Sequence, residues 1–180
     1  MSSDVKTTTF SPAETESVGD KLGYGKDSKE RLPWEHYLSQ YQEVVFCGYG
    51  EPTERLEDLL EVARYLKEHH PNLPLRINTN GLSDLIWQKP TAPMLKGLID
   101  TVSISLNAMD AQEYLRLTRS KFGIGSYDAM LKFAKECTQY VPHVVMTVVG
   151  EPVTTPEEQE TCRKICESVG ATLRVRPYES

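Results

Sequence analysis

The chain has no surplus of basic residues: 20 Lys and Arg stand against 26 Asp and Glu, a formal net charge of -6 over 180 residues. That balance argues against a general binder of nucleic-acid backbones, which needs an excess of lysine and arginine to displace counterions. Long apolar runs are missing too, and none reaches the roughly 18 residues of a membrane-spanning helix. The N-terminus is too polar for the apolar region of a signal peptide. A soluble, cytoplasmic protein without membrane partners is the expectation. Cysteine is scarce, with four residues at 47, 137, 162 and 166, and in that compartment their thiols stay reduced. What is present is an apolar fraction of 39%, enough for one domain with a substantial core.

Residues 1–32 carry hardly any apolar periodicity and are rich in Ser, Thr, Gly and charge. They are expected to be disordered or loosely attached, because ordering costs roughly 1–2 kcal/mol per residue and little apolar burial offsets it. The domain is placed at 33–180, with a short helix beginning at Pro33. The stretch VVFCGYGEPT, 44–53, opens the regular part. Val44, Val45 and Phe46 suit a buried parallel strand continuing into Cys47, and Gly48 and Gly50 allow a sharp turn or a close ligand approach. Glu51 has two readings: an acceptor for a ligand amine at the strand's mouth, or a carboxylate at a helix N-terminus.

Beyond it, Leu56, Leu59, Leu60, Ala63 and Leu66 recur at helical spacing up to Pro71. LPLRINTNG reads as a strand, TAPMLKGLID as a helix started by Thr91, and TVSISLNA as a strand alternating Val102, Ile104 and Leu106 with Ser103, Ser105 and Asn107. Asp110 and Glu113 have capping-box spacing, and Ser126 is a candidate cap for a helix burying Met130, Phe133, Ala134 and Cys137. HVVMTVVG, a helix started by Thr155, Pro156 and Glu158 and ended at Val169 and Gly170, and the strand TLRVRP complete five strands alternating with helices. Alternation implies right-handed crossovers and a parallel sheet. Periodicity leaves a doubly wound sheet and a curved partial barrel both open. The polar face of Ser103, Ser105 and Asn107 favours a barrel interior, since helices on both faces would have little use for it.

The strand ends GYGEPT, NTNG, SLNA and GEPVT all carry uncharged or singly charged hydrogen-bonding groups. Each alone is ordinary turn chemistry. In a parallel sheet they share one mouth, which makes Glu51, Asn78, Asn80, Ser105 and Asn107 a candidate site.

The segments VVFCGYGEPTERLEDLLEVARYLKEHHPNLPLRINTNGLSDLI, APMLKGLIDTVSISLNAMDAQEY and RVRPYE together resemble the radical S-adenosylmethionine (SAM) enzymes, and within them the TatD-associated radical SAM proteins. The resemblance spans residues 41–180. It implies a partial (β/α)6 barrel binding SAM beside a [4Fe-4S] cluster and supporting radical chemistry, with the substrate left open. Position by position, Gly48, Tyr49, Gly50, Glu51 and Pro52 match the segment that meets the methionine amine. Asn78, Asn80, Ser103, Ser105 and Asn107 match places near the ribose or methionine carboxylate, and residues 148–152 match the strand end beside the adenine.

Such enzymes hold their cluster through CxxxCxxC after the first strand, and the four cysteines here do not have that spacing. Cys162 and Cys166, four apart, belong to a buried helical stripe with Ile165 and Val169. His36, His69, His70 and His143 have no ligand spacing, so no metal site is assigned. The first βα unit is expected to be missing or degenerate. Catalytic competence is therefore set beside an alternative, a cluster-free SAM- or nucleotide-binding or regulatory module, and self-association through an exposed sheet edge is a further expectation. A barrel lyase or isomerase finds no Lys or His at a recognised strand end.

Overall fold

Five short runs rich in β-branched residues become the strands β1 (Val44–Phe46), β2 (Leu75–Thr79), β3 (Thr101–Ser105), β4 (His143–Val149) and β5 (Thr172–Arg176). The computed structural model describes Leu38 and residues 41–48 and 50–178. The expected N-terminal segment 1–32, most of the helix expected from Pro33, and Tyr49 lie outside the described residues. Among the described residues the strands form one sheet in the order β1-β2-β3-β4-β5, every neighbouring pair parallel. A doubly wound sheet reverses its strand order at a switch point. Here the order never reverses, so right-handed crossovers set the connecting helices on one face, and the alternative left open by periodicity resolves to a partial barrel.

The pleat then sorts the side chains. Leu75, Ile77, Val102, Ile104, Val144, Met146 and Val148 face the helices and are buried. Register places Asn78 beside Ser103, Ser105 beside Thr147, and Thr147 beside Arg174 on the opposite, concave face. Ser103 and Thr147 are nonetheless only 8% and 4% exposed, as expected where a sheet curls toward a barrel interior.

Helix α1 (Leu56–His69) buries the expected stripe of Leu56, Leu59, Leu60, Ala63 and Leu66, after a 3-10 turn over Pro52–Arg55. Segment 83–87 is helix α2 (Ser83–Trp87). The helix expected from Thr91 is only a 3-10 turn, Ala92–Leu95, because Lys96 is extended and Gly97 takes φ +74°. Thr91 does not cap it; its hydroxyl donates to Asp84 Oδ1 at 2.7 Å. Asp110 caps helix α3 (Ala111–Thr118) through the amides of Gln112 and Glu113, but the Glu113 carboxylate turns to Arg116 and no reciprocal box closes. In helix α4 (Ser126–Cys137), Ser126 is the first helical residue and not its cap, its hydroxyl 2.7 Å from Gly123 O and 2.6 Å from Ser120 Oγ. Met130, Phe133, Ala134 and Cys137 are buried as expected. Helix α5 (Pro156–Ser168) has the full capping box of Thr155 and Glu158. Cys47, expected within a strand, lies just past β1 and is exposed.

The turn after β2 depends on Gly81. Its φ is +76°, and a Cβ there would stand 2.8 Å from Met130 Cγ and 2.9 Å from Ile104 Cγ2. Gly81→Ala combines left-handed strain with overpacking and should lower stability by about 2 kcal/mol or more. A urea midpoint unchanged from the parent would contradict this packing.

Candidate functional site

Glu51 is the junction of the mouth. It caps the 3-10 turn from an extended backbone, and its Oε1 accepts from Thr53 N at 3.1 Å, Thr53 Oγ1 at 2.7 Å and Thr79 Oγ1 at 2.6 Å. Its Oε2 accepts from Asn80 N at 2.7 Å. The residue thus clamps the loop after β1 to the end of β2. Each carboxylate oxygen offers about two lone-pair directions. Three donors fill Oε1, and Oε2 keeps one direction for a ligand. Of the two sequence readings of Glu51, this geometry realises the cap at a helical N-terminus. Gly50, at φ +109°, has no atom within 4 Å of a would-be Cβ, so the backbone there is open to close approach.

The next turn is braced in series. Thr79 Oγ1 accepts from Gly81 N at 3.0 Å, Asn80 Oδ1 accepts from Leu82 N at 2.9 Å, and Trp87 Nε1 donates to Thr53 O at 2.7 Å. The Asn80 amide nitrogen is left to face outward. Asn107, just past β3, takes φ 61°, a left-handed conformation that Asn tolerates better than most residues.

Asn80 and Asn107 come together in a groove of about 350 Å³ at the strands' C-terminal end, with Glu54, Tyr114, Arg119 and Lys121. Sequence reasoning missed these last four. Helix α3 and the loop after it, 119–125, supply three of them, and the signal available was the pair of cations in TRSKFGIGS between two helices. Lys121 Nζ pairs with Glu54 Oε1 at 3.3 Å, so its charge is partly met. Arg119, at φ 50°, caps α3 through its backbone and makes no ion pair among the described residues. Tyr114 forms the floor at 1% exposure, and burial, followed by the Glu51 charge, raises its phenol pKa above the usual value. Its ring meets that of Tyr127, centroids 5.6 Å apart, whose hydroxyl donates to Met109 O at 2.9 Å.

The residues expected at the mouth therefore divide into two groups. Asn80 and Asn107 line the groove, and Glu51 joins it through its bond to Asn80 N, with Gly48, Gly50 and Pro52 next to it in the chain. Asn78, Ser103 and Ser105 line the concave face below it. At the end of β4, Gly150 N donates to Arg176 O at 2.8 Å, tying residues 148–152 to the last strand.

The thiols do not fit an iron-sulfur cluster. Cys137, Cys162 and Cys166 are buried, and only Cys47 is exposed. Burial pushes the Cys166 thiol up to about 12 and raises Cys137 and Cys162 as well. Among the described residues no three His, Cys, Asp or Glu side chains gather in a metal-binding group. No described helix is long and apolar enough to cross a membrane.

Known proteins resemble this chain in sequence or in fold. A probable GTP 3',8-cyclase of Thermococcus kodakarensis is 29% identical over 99 residues, 55% of this chain and 29% of that protein. The GTP 3',8-cyclase of Paenarthrobacter nicotinovorans is 32% identical over 73 residues, 41% of this chain and 19% of its own length. The chain thus spans less than a third of either relative. A radical SAM methyltransferase from Sphaerobacter thermophilus superposes with a TM-score of 0.53 at 20% identity, over 76% of this chain and 40% of that one, which is a likeness of fold. The family model described as the radical SAM superfamily matches residues 34–165, from before β1 into α5 and across the ends of β1 to β4. With residues 34–165 matched, well over half of its length, this chain belongs to the radical SAM superfamily.

Proposed function

We propose that this chain is the SAM-binding portion of a cytoplasmic radical SAM protein, within the narrower TatD-associated group, and that the groove at the mouth receives the cofactor's methionine end. One observation carries this reading: Asn80 and Asn107, from the ends of two different strands, share a groove with Arg119, a guanidinium without an ion pair among the described residues. An α-amino acid needs both an anion partner and acceptors for its ammonium group. Arg119 offers the first, a planar fork suited to a carboxylate. The free direction of Glu51 Oε2 and the open backbone at Gly50 offer the second, and the two Asn amides can serve hydroxyls. Asn78, Ser103 and Ser105 extend the polar lining inward, and residues 148–152 flank the adenine side.

In the family a [4Fe-4S] cluster supplies the electron that cleaves SAM. The cysteines of this chain do not provide its ligands, so what its own residues contribute is binding and orientation. The same arrangement of thiols favours a second reading, a cluster-free SAM- or nucleotide-binding or regulatory module. The edges of β1 and β5, unpaired among the described residues, are the proposed surfaces for self-association.

Titration of isotope-labelled chain with SAM tests the site. Amide shifts should concentrate at residues 50, 51, 53, 80, 107 and 118–121. Arg119→Gln should weaken binding about tenfold, equivalent to about 1.4 kcal/mol, with an unchanged circular dichroism spectrum. Undiminished affinity in that variant, or shifts confined to other regions, would reject this groove as the cofactor site.

A further inference from the structure

The concave face of the sheet has a charge pattern unlike the rest of the chain. Its inward strand positions on β2 to β5 are residues 76 and 78, 101, 103 and 105, 143, 145, 147 and 149, and 172, 174 and 176. None of these is Asp or Glu, although the chain holds 26 acidic residues. Three are arginines. Arg76 is met by Glu43 Oε2 at 2.8 Å, low on the face. Arg174 and Arg176 are exposed and make no ion pair among the described residues. Register sets Thr147 beside Arg174 and Ser105 beside Thr147, so one row runs from hydroxyl to hydroxyl to guanidinium, with Arg176 a step nearer the mouth.

We infer that this face takes an anionic substrate, a small molecule carrying phosphate or carboxylate groups, with Arg174 and Arg176 as its specificity-determining contacts. The reasoning is electrostatic and geometric. Two residues apart on a strand, the guanidinium stems lie about 7 Å from one another on the same face, a spacing that spans a di- or triphosphate or a dicarboxylate. Each fork can bind an oxyanion in bidentate fashion, and the Ser105 hydroxyl can donate alongside. Solvated arginines on an edge strand would also be exposed, but such a surface would not exclude carboxylates from every inward position of four strands in an acidic chain. With Arg76 already met by Glu43, the uncompensated positive charge of this wall lies at Arg174 and Arg176 toward the mouth, where it attracts an anion. This inference deepens the proposed function by naming a substrate class for the same barrel.

The test uses inorganic tripolyphosphate and, separately, a tricarboxylate, titrated into the 180-residue chain by calorimetry at low and moderate salt. The double variant Arg174→Gln, Arg176→Gln should bind tripolyphosphate at least about tenfold more weakly, and the Lys pair at the same positions should recover only part of the loss, because the ammonium lacks the fork. Lys135→Gln with Lys164→Gln removes the same charge from exposed helical positions on the other face, and its affinity should change by less than about twofold. An equal loss in both double variants would reduce the effect to net charge and overturn the inference, as would tripolyphosphate binding that ignores the arginines or is not measurable at millimolar concentration. The tricarboxylate arm decides between phosphate and carboxylate. SAM binding, measured in the parent chain under the same conditions, separates the two proposals: anion binding without SAM binding refutes the cofactor groove alone, and SAM binding without anion binding refutes the anionic face alone.

Discussion

Anaerobic incubation of the 180-residue chain with ferrous iron and sulfide should give no stoichiometric [4Fe-4S] cluster, and dithionite with SAM should release no 5′-deoxyadenosine. A site-differentiated cluster requires three thiolates converging on one face. Cys162 and Cys166 lie on the buried stripe of α5, Cys137 is buried at the end of α4, and Cys47 stands exposed beyond β1 on the far side of two intervening strands from β4. Burial raises the pKa of all three core thiols, so at neutral pH each would have to lose both its packing and its proton to bind iron. Having four cysteines does not compensate for that placement. Optical and paramagnetic resonance spectra of the reconstituted sample, read with iron and sulfide analysis, decide the point. One cluster per chain, accompanied by nucleoside release, would show that these thiols rearrange into a functional site and would restore the enzyme reading for the chain by itself.

Glu51→Ala should be among the most destabilising single changes at the mouth, costing about 3 kcal/mol. Four donors lose their acceptor at once, and three of them belong to Thr53 and Thr79, residues only 1% and 4% exposed. Hydrogen bonds to a charged group are worth about 1.5–3 kcal/mol each in isolation, and the losses at one carboxylate overlap rather than add. Glu51→Gln keeps one acceptor oxygen but turns an amide NH2 toward a donor, so it should fall between the parent and the Ala variant. Urea denaturation followed by circular dichroism measures both. If Glu51 acted only as a ligand for an amine, the free protein would unfold at the same urea concentration in all three forms; a loss below about 1 kcal/mol for the Ala variant would favour that simpler role over the clamp.

The two outcomes bear on different layers of the molecule. Glu51 holds the scaffold on which a cofactor would sit, whereas the cysteines concern the chemistry that cofactor would perform. A chain that keeps the clamp and the groove but assembles no cluster is a binding protein by its own residues. Radical chemistry would then need cluster ligands from elsewhere.

Sequence by itself determined the parts of this protein that local forces dictate. The strands followed from β-branched runs, and the five-strand alternation with helices was legible because parallel strands need crossovers. The buried stripes of α1 and α4 followed from helical periodicity, and the start of α5 from a capping box whose atoms lie within four residues. Where local signals overreached, an adjacent conformation intervened: Gly97 and extended Lys96 stopped the helix after Thr91, and Glu113 found Arg116 in place of the box. Only the tertiary structure decided the rest. Strand order, which turned an open α/β reading into a partial barrel, depends on pairing between residues such as Arg76 and Thr101 or Thr101 and His143, far apart in the chain, and leaves no local trace. The groove arose because α3 and its loop bring Tyr114, Arg119 and Lys121 beside Asn80 and Asn107, and periodicity says which face of a helix is apolar but not where the helix comes to rest. The carboxylate of Glu51 could be placed at a strand's end from sequence, but its bonds to Thr79 and Asn80 cross 28 and 29 residues. A hydrogen bond of that span exists only after the sheet has formed, because its geometry is set by the packing of two strands and not by the residues between them.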